Sequence, residues 1–450
     1  MESMKIAMFT DAYWPRVNGV TVSVDSYARA LIKAGHEVLI ICSRYLEDYN
    51  SPISILNKPE TGNGPQIIRV PSVPSLVSKE DRIAKFNKWL WVFKQIELFG
   101  PDIIHVHTEF MIAEFGFSYA YTHGLPSVYT FHTMWEDYGP NYFSMIPPFL
   151  VKFVIRGLLR RLLNRAYRVI VPTPQIDEVV HKYTPRAKTF LLPTGIDPEL
   201  FTHNESEAAS FREKLQEHFP RIKGKRILLF AGRVAKEKNI GFLIRILPEI
   251  LARHPDIMLL IAGSGPDADY FQDEARKAGM EEACVFTGYL ERKDLSLMYM
   301  LAEVFVFPSL TDTQGLVTLE AMFSGTPVVA IGVLGTRMIM EGDKGGFMVA
   351  NNPAEFTARV LELLENPELR RFKSNEAKIH ARAWSLEELT KKLLSIYQST
   401  AQDYQEEHNA HRSSVWETLM DKKRQESINK IFRKKASRKW QEILAKLGLR

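Results

Sequence analysis

The stretch V-F-V-F-P-S-L-T-D-T-Q-G-L-V-T-L-E-A-M-F-S-G-T-P-V-V-A, residues 304–330, decides the fold class of this chain. Its first four residues are β-branched or aromatic and predict a buried strand. A polar loop follows, and Gly315 then precedes an apolar segment of helical period. A second β-branched run begins at Pro327. Strand, loop, helix and strand in this order predict a parallel sheet with a crossover helix.

The same alternation extends in both directions along the chain. In the first half it predicts strands at 5–9, 37–42, 67–70, 103–107, 126–131, 169–171 and 189–192. The helices between them are predicted at about 20–34, 84–99, 111–122, 149–166 and 174–183. In the second half, strands are predicted at 227–231, 258–262, 285–287, 304–307, 327–330 and 346–349. This pattern predicts an α/β protein with two doubly wound, Rossmann-like units that face a central cleft.

The turn-rich segment 193–198 and the polar stretch 203–210 separate the two units. We therefore predict domains at 1–195 and 196–400, with the last helix, near 385–400, packing back on the first domain. A basic amphipathic tail at 401–450 would follow.

Composition narrows the class of protein. The 450 residues include 45% apolar and 25% charged residues, which excludes a disordered or collagen-like chain. Cys42 and Cys284 are too few for a disulfide framework and lack zinc-ligand spacing, so a reduced, cytosolic setting is expected. No run approaches the ~18 to 20 apolar residues of a membrane span, and the N-terminus does not resemble a signal peptide.

Two carboxylates flank the loop of the opening stretch. Asp312 lies in the loop and Glu320 lies on the helix that Gly315 begins. The free N–H groups at a helix N-terminus attract anions, so a diphosphate could lie there, with a carboxylate on either side to accept hydroxyl hydrogen bonds. The alternative is that Asp312 and Thr313 only cap the helix and Glu320 is solvated.

A second basic loop follows the predicted strand 227–231. It contains Arg233 and Lys238 in the segment G-R-V-A-K-E-K-N. Two fixed cations at the carboxyl end of a strand suit a leaving diphosphate, whose charge grows as its bond breaks. An ordinary basic loop is the alternative.

Together these segments resemble the retaining, nucleotide-sugar-dependent glycosyltransferases of the GT-B fold. The shared features are an acid, seven residues and Glu, then E-A-M-x-x-G-T-P-V-V-A, and G-R-x-x-x-x-K-N upstream. The family usually has Glu where this chain has Asp312. The resemblance implies that Asp312 binds the donor sugar and Glu320 the ribose. It also implies that the diphosphate is bound by Arg233, Lys238 and the backbone at Gly315, Leu316 and Val317.

The segment 262–268, A-G-S-G-P-D-A, is formally a dinucleotide-binding pattern and leaves an NAD-dependent oxidoreductase open. Pro266 occupies its turn, and no acid follows the next predicted strand. The glycosyltransferase family has a similar A-G-x-G-P segment. The resemblance assigns Phe286 and Tyr289 to the nucleobase. It assigns Gly19 to donor binding, in a loop after the first strand that faces the cleft from the acceptor side.

The run H-T-M-W-E-D-Y at 132–138 and T-D-T-Q-G at 311–315 resemble one branch of the family, the 1,2-diacylglycerol 3-glucosyltransferases. This implies that His132 lies near the transferred sugar. His107, Glu136 and Asp137 would belong to the acceptor region. His105 and His107 would share a strand face, but no third ligand has metal-site spacing, so no metal is predicted.

Two basic regions suggest contact with a membrane. Residues 149–168 form an apolar helix with cations and no acid, of which we assign Lys152, Arg156, Arg160 and Arg161 to the membrane. A core helix with a basic outer face is the alternative. Residues 421–450 carry a net charge of +8, and Lys434, Lys435 and Trp440 are assigned to the same surface. No nucleic-acid-binding module accompanies this charge, so no nucleic-acid partner is expected.

The resemblance implies a peripheral enzyme at the inner face of the cell membrane. It would transfer glucose from UDP-glucose to the 3-hydroxyl of diacylglycerol, with retention and without a cofactor. Its partners would be the nucleotide sugar, diacylglycerol and anionic lipids. A mannosyl- or galactosyltransferase acting on phosphatidylinositol or another lipid stays open, as does a catalytically dead homologue kept as a membrane scaffold, because Asp312 replaces the usual Glu.

Overall fold

The structure, a computed structural model, describes residues 3–16, 18–45, 64–75, 82–132, 147–312 and 314–409. Backbone contacts divide the chain into two units, Met1–Tyr397 and Gln398–Arg450. The described residues of the second unit, 398–409, are helical. The first unit contains both predicted sheets.

The N-terminal half of the first unit forms a parallel sheet in which seven strands are described. These are β1 (Lys5–Thr10), β2 (Glu37–Ser43), β3 (Gln66–Val70), β6 (Ile103–Val106), β7 (Ser127–Thr130), β8 (Arg168–Val171) and β9 (Thr189–Leu191). Their order is β3-β2-β1-β6-β7-β8-β9. A separate antiparallel pair is formed by β4 (Ser72–Pro74) and β5 (Arg82–Ala84).

Helices cover both faces of this sheet. The described ones are α1 (Gly19–Lys33), α2 (Trp89–Phe99), α3 (Met111–His123), α4 (Pro148–Arg165) and α5 (Pro174–Tyr183). The inner strands β1, β2, β6 and β7 are largely apolar runs because helices bury them on both sides, whereas β3 and β9 at the edges are partly exposed. Phe9 and Val106 pack toward α3, and Ile6 and Met8 pack toward α1 in the opposite core.

The second half forms a six-stranded parallel sheet among the described residues. Its strands are β10 (Arg226–Ala231), β11 (Ile257–Ala262), β12 (Cys284–Gly288), β13 (Val304–Phe307), β14 (Val328–Ile331) and β15 (Gly346–Val349). Their order is β12-β11-β10-β13-β14-β15. The helices of this half are α6 (Glu205–His218), α7 (Ile240–Arg253), α8 (Ala268–Lys277), α9 (Arg292–Leu301), α10 (Leu316–Phe323), α11 (Leu334–Ile339), α12 (Pro353–Glu365) and α13 (Pro367–Ala381).

A last helix begins at residue 386, and within the first unit its Leu389, Leu393 and Tyr397 belong to the same core as Ile6. The chain therefore returns to the N-terminal sheet after the second sheet is complete. The predicted domain limits near 195 and 400 stay a proposal.

The predicted α/β architecture of two Rossmann-like sheets is confirmed. Two local predictions are wrong. The helix predicted over 84–99 begins at Trp89, because Arg82–Ala84 pairs with Ser72–Pro74 instead. Arg168 does not extend the basic helix: it begins β8, is buried, and its guanidinium lies 4.3 Å from the ring centroid of Tyr167. Within the described ranges, no helix is long and apolar enough to cross a bilayer.

Candidate active site

The strand order of the second sheet creates a crevice. The chain passes from β10 outward to β11 and β12 on one side, and from β13 to β14 and β15 on the other. Loops leaving β10 and β13 therefore diverge at the carboxyl ends of two adjacent strands, which is where ligands bind in open α/β sheets. The predicted residues Lys238 and Asp312 lie in these two loops.

The structure brings these two side chains into contact. Lys238 Nζ donates a hydrogen bond to Asp312 Oδ2 at 2.8 Å, and the two side chains are 16% and 24% exposed. The backbone supports this pair, because Asn239 adopts a left-handed conformation and its side chain donates to the Pro308 carbonyl at 3.2 Å. A cation and an anion thus lie together at the rim of the crevice.

Arg233 lies in the same loop as Lys238 but remains exposed. Its Nη1 is 4.0 Å from Glu237 Oε1, and 64% of its side chain is accessible. Such an exposed pair contributes little to stability. The guanidinium is therefore available to an incoming anion.

The glycines of the segment 262–268 serve this loop. A Cβ atom on Gly263 would lie 1.9 Å from the Gly232 carbonyl oxygen, and one on Gly265 would lie 2.2 Å from the Val234 carbonyl oxygen. Val234 N donates to Ser264 O at 3.0 Å. Close packing of two loops accounts for the G-x-G pattern without a dinucleotide.

The loop that carries Asp312 is fixed by α11. Gly335 N donates to the Asp312 carbonyl at 3.1 Å. Gly315 has φ +64°, and a Cβ atom there would lie 3.1 Å from Thr336 Oγ1, so the position favours glycine. Leu316 then begins α10, whose first N–H groups have no intrahelical acceptor. The positive end of the α10 dipole therefore lies next to the loop that carries Asp312.

Glu320 is neither solvated nor a cap. It is half-buried, and Tyr299 Oη donates a hydrogen bond to its Oε2 at 3.0 Å. Burial raises the pKa of Glu320, although the positive charge of Arg292 and the Tyr299 hydrogen bond partly oppose this shift. A carboxylate held in this way has a second oxygen that can accept ligand hydroxyls.

The predicted base pocket lies at the end of β12. Phe286 is partly buried against the core of the second sheet, and Tyr289 is 49% exposed. Gly263 N donates to the Gly288 carbonyl at 2.9 Å. This hydrogen bond joins the end of β12 to the segment 262–268, which packs against the Arg233 loop. Phe286 and Tyr289 thus lie at the carboxyl edge of the second sheet, as the Lys238–Asp312 pair does.

Three histidines lie on or just after strands β6 and β7 in the first sheet: His105 is within β6, His107 follows it, and His132 follows β7. The rings of His105 and His107 have centroids 3.8 Å apart, as expected for a shared strand face. His107 Nδ1 and His132 Nε2 share a hydrogen bond of 3.2 Å. His105 shares hydrogen bonds with the hydroxyls of Tyr397 at 2.6 Å and Thr130 at 2.7 Å.

These histidines line one cavity with residues from both halves of the first unit. The cavity is also bordered by Thr194 and by Gln314 of the Asp312 loop. Burial lowers the pKa of His105 to about 3 and that of His132 to about 4, and the pKa of His107 also lies well below its usual value. All three rings are therefore neutral near pH 7.

Comparisons with known proteins agree with this geometry. Residues 17–200 match the family model described as Glycosyltransferase Family 4, and residues 211–380 match Glycosyl transferases group 1. An alpha-monoglucosyldiacylglycerol synthase of Streptococcus pneumoniae is 32% identical over 334 residues, which cover 73% of this chain and 71% of the relative. The chain belongs to the group 1 glycosyltransferases of the GT-B fold.

Other similarities extend over more of this glycosyltransferase. An alpha-monoglucosyldiacylglycerol synthase of Acholeplasma laidlawii is 27% identical over 405 residues, 88% of this chain and 96% of the relative. HepE of Anabaena, solved in complex with UDP and glucose, superposes with a TM-score of 0.68 at 16% identity, over 88% of this chain and all of that one. Sucrose-phosphate synthase from Thermosynechococcus elongatus gives 0.66 at 21% identity, over 88% and 98% of the two chains.

Gly19 begins α1 of the glycosyltransferase. Asn18 caps this helix by accepting a hydrogen bond from Thr21 N at 2.8 Å, which accounts for this side chain without a ligand. A Cβ atom on Gly19 would meet nothing within 4 Å. Open space at this position leaves room for a ligand, and the donor role of Gly19 stays a prediction.

Helix α4 has a mixed surface. Val151, Leu159, Leu162 and Leu163 are buried, whereas Phe149 is 75% and Phe153 is 73% exposed. Arg156, Arg160 and Arg161 are exposed and Lys152 is partly buried. Arg161 pairs with Glu114 of α3 at 3.2 Å, and Arg165 binds the same carboxylate. The exposed surface of α4 thus carries both the predicted cations and large apolar side chains.

Several predicted residues lie outside the described part of the glycosyltransferase. They are Glu136, Asp137, Lys434, Lys435, Trp440 and Thr313. Among the residues that the structure does describe, no group of three or more His, Cys, Asp or Glu side chains could hold a metal ion. The expected lack of a metal requirement stays a prediction.

Sequence reasoning missed three residues of this site. Tyr299 lies on α9 and Tyr397 on the last helix, and neither follows a strand or belongs to a motif. Gln314 was visible only as one letter of T-D-T-Q-G. Its side chain accepts a hydrogen bond from Thr194 N, 120 positions away in the chain, and no spacing rule predicts such a contact.

Proposed function

We propose that this glycosyltransferase transfers glucose from UDP-glucose to the 3-hydroxyl of 1,2-diacylglycerol, with retention of the anomeric configuration. The product would be an α-glucosyl-diacylglycerol. The observation that carries the donor half is the Lys238–Asp312 pair at the switch point of the second sheet. The similarity to two alpha-monoglucosyldiacylglycerol synthases supports the sugar and the lipid.

Catalysis would rest on stabilising the leaving diphosphate. Lys238, Arg233 and the N-terminus of α10 supply positive charge where the negative charge of UDP grows. Asp312 accepts hydrogen bonds from hydroxyls of the sugar, and Glu320 accepts them from the ribose. The aromatic side chains at the end of β12 border the base.

Retention can proceed without an enzymic nucleophile. The bond between the anomeric carbon and the diphosphate oxygen breaks while the acceptor oxygen bonds to the same face of that carbon. The acceptor proton passes to the departing phosphate oxygen, so the step balances. His132, neutral near pH 7 because burial lowers its pKa, would hydrogen-bond the sugar without adding a charge.

The acceptor would arrive from a membrane at whose inner face the enzyme is peripherally bound. Exposed Phe149 and Phe153 on α4 can enter the interfacial region, and the exposed cations Arg156 and Arg160 on the same helix can attract anionic headgroups. Attraction to an anionic leaflet contributes about 1 kcal/mol per nearby cation. Both features lie on the N-terminal half, which also contributes the three histidines of the cavity. His107 would face the acceptor.

Calorimetric titration with UDP, GDP and NADH tests the donor assignment. UDP is expected to bind more tightly than GDP, and NADH is expected not to bind. Preference for GDP would favour a mannosyltransferase, and tight binding of NADH would favour the oxidoreductase. Transfer assays with UDP-glucose, UDP-galactose and GDP-mannose then separate the sugars.

A further inference from the structure

Gln314 connects the donor loop to the segment that joins the two sheets. Its side-chain Oε1 accepts a hydrogen bond from the backbone N–H of Thr194 at 3.0 Å. Thr194 is buried and lies between β9 and the second sheet. One side chain therefore links a loop of the second sheet to the connection between the sheets.

The joining segment is itself attached to the first sheet. Tyr27 Oη donates to the Pro193 carbonyl at 2.6 Å, and Thr194 Oγ1 donates to Ser23 Oγ at 3.2 Å. Ser23 and Tyr27 both lie on α1. Residues 193–194 are thus anchored to the helix that begins at Gly19.

The chain crosses between the sheets a second time, and the two crossings are clamped together. Ile196 N donates to the Trp384 carbonyl at 3.2 Å, and Leu386 N donates to the Ile196 carbonyl at 2.7 Å. A Cβ atom on Gly195 would lie 2.7 Å from Leu386 Cα. Hinges are a few loop residues that absorb backbone rotation, so residues 193–196 are placed to serve as one.

The other end of the link cannot yield easily. A Cβ atom on Gly335 would lie 2.3 Å from the carbonyl carbon of Gln314, so the backbone of the donor loop presses against α11. Asp312 is held there as well, by Gly335 N and Lys238 Nζ. A rotation of the sheets must therefore break the hydrogen bond between Gln314 and Thr194 or move the donor loop.

We infer that Gln314 is a positioning residue that couples occupancy of the donor site to the relative orientation of the two sheets. This inference rests on the proposed function, since it takes the loop of Asp312 as the donor loop. Gln314 acts through the backbone of Thr194 and needs no contact with the sugar. Loss of its acceptor oxygen disconnects the donor loop from the hinge without removing any group that binds UDP.

Two labelled positions make the coupling measurable in the full-length protein. Lys182→Cys on α5, in the half with the first sheet, and Lys277→Cys on α8, in the half with the second sheet, introduce exposed thiols for labelling. Native Cys42 and Cys284 are buried and should not be labelled. Spin labels at these positions report the distance between the sheets with and without saturating UDP. The labelled protein is compared with two variants at position 314. Gln314→Leu removes the oxygen that accepts from Thr194 N, and Gln314→Glu keeps it. Gln272→Leu, at an exposed position of α8, is the matched control.

UDP is expected to shift the distance distribution of the wild type, of Gln272→Leu and, at saturation, of Gln314→Glu. In Gln314→Leu most of this shift is lost, and UDP binds about three- to tenfold more weakly, the effect of one neutral hydrogen bond. The added charge weakens UDP binding to Gln314→Glu without removing the shift. A full shift in Gln314→Leu, or no shift in a wild type that binds UDP, overturns the inference and leaves the proposed function standing. A wild type that binds no UDP contradicts the proposed function itself.

Discussion

Lys238 Nζ and Asp312 Oδ2 are 2.8 Å apart, although the two residues are separated by 74 positions in the chain. The first is assigned to the diphosphate and the second to the sugar. Their hydrogen bond uses one of the three N–H donors of Lys238 and one acceptor site of the Asp312 carboxylate. Binding of the donor would exchange this ion pair for two contacts with the ligand.

Replacing Asp312 with Asn separates binding from transfer. We expect transfer to fall by about 100-fold, the scale on which loss of one polar group at a transition state acts. UDP should bind as tightly as before or more tightly, because Lys238 no longer pairs with a full negative charge. Stopped assays and calorimetry measure the two effects. Asp269→Asn, at an exposed position of α8, is the control. If Asp312→Asn weakens UDP binding by as much as it slows transfer, the proposed exchange of the Lys238–Asp312 ion pair for contacts with the donor is refuted.

The shorter side chain of Asp312 offers a test of the alternative that the protein is a dead homologue. Asp312→Glu keeps the charge and adds one methylene. We expect the wild type to be active and this variant to show a changed ratio of rates among UDP-sugars. An inactive wild type that gains transfer activity through Asp312→Glu would instead support a scaffold role.

The buried histidines predict an acid-sensitive fold. His132 has a pKa of about 4 and His105 of about 3 in the folded state, below the value of about 6.5 in an unfolded chain. As pH falls below about 6.5 the unfolded state binds protons that the folded state does not. Stability should therefore fall by about 1.4 kcal/mol per pH unit for each histidine, until pH reaches the folded-state pKa.

Urea unfolding at pH 7, 6 and 5 measures this slope. Replacing His105 with Asn removes one of the titrating groups, so the slope should fall by about 1.4 kcal/mol per pH unit while overall stability also drops. His218→Asn, at an exposed position, is the matched control for the substitution itself. An identical slope in the wild type and His105→Asn would show that this ring does not titrate as described.

Membrane binding is expected to depend on the apolar residues of α4. Phe149 and Phe153 are 75% and 73% exposed, and burying each in an interface contributes about 1.5–3 kcal/mol. Changing both to Ser should reduce binding to anionic vesicles by at least about 100-fold. The matched control changes Phe372 and Ile379 of α13, which are 60% and 68% exposed. Equal losses in both double variants, measured by vesicle sedimentation, would argue against α4.

Gly263 should prove structural. Alanine there would place Cβ 1.9 Å from the Gly232 carbonyl at φ +145°, so a loss of about 3 kcal/mol or more in stability is expected, with weaker UDP binding as the Arg233 loop shifts. Gly157→Ala is the contrast, because that glycine lies inside α4 in open space. Alanine at Gly157 should stabilise the helix by about 0.5–1 kcal/mol. Thermal unfolding and calorimetry distinguish the two.

The sequence predicts the sheets well because buried parallel strands are continuous apolar runs. The predicted strand at 304–307 has the observed limits, and the predicted strand at 227–231 begins one residue late. The pair β4 and β5 was not predicted, because strands of three residues carry too little periodicity. Short strands are specified by their partners rather than by their own pattern.

The site was predictable in its loops and not in its contacts. Polar residues after β10 and β13 could be assigned to a cleft, since carboxyl ends of parallel strands share an edge. That Lys238 and Asp312 touch, that Tyr299 binds Glu320, and that Gln314 reaches Thr194 depend on how distant segments pack. The tertiary structure determines these pairs, and sequence spacing alone does not predict them.

The central claim is transfer of glucose to diacylglycerol, and one assay tests it most directly. Purified protein is incubated with radiolabelled UDP-glucose and liposomes that contain diacylglycerol, with or without anionic lipid, and the extracted lipid is counted and its anomeric configuration determined. We predict an α-glucosyl-diacylglycerol that forms mainly on anionic liposomes and about 100-fold more slowly with Asp312→Asn. No labelled lipid from UDP-glucose under either condition, with UDP bound normally, would contradict the assignment.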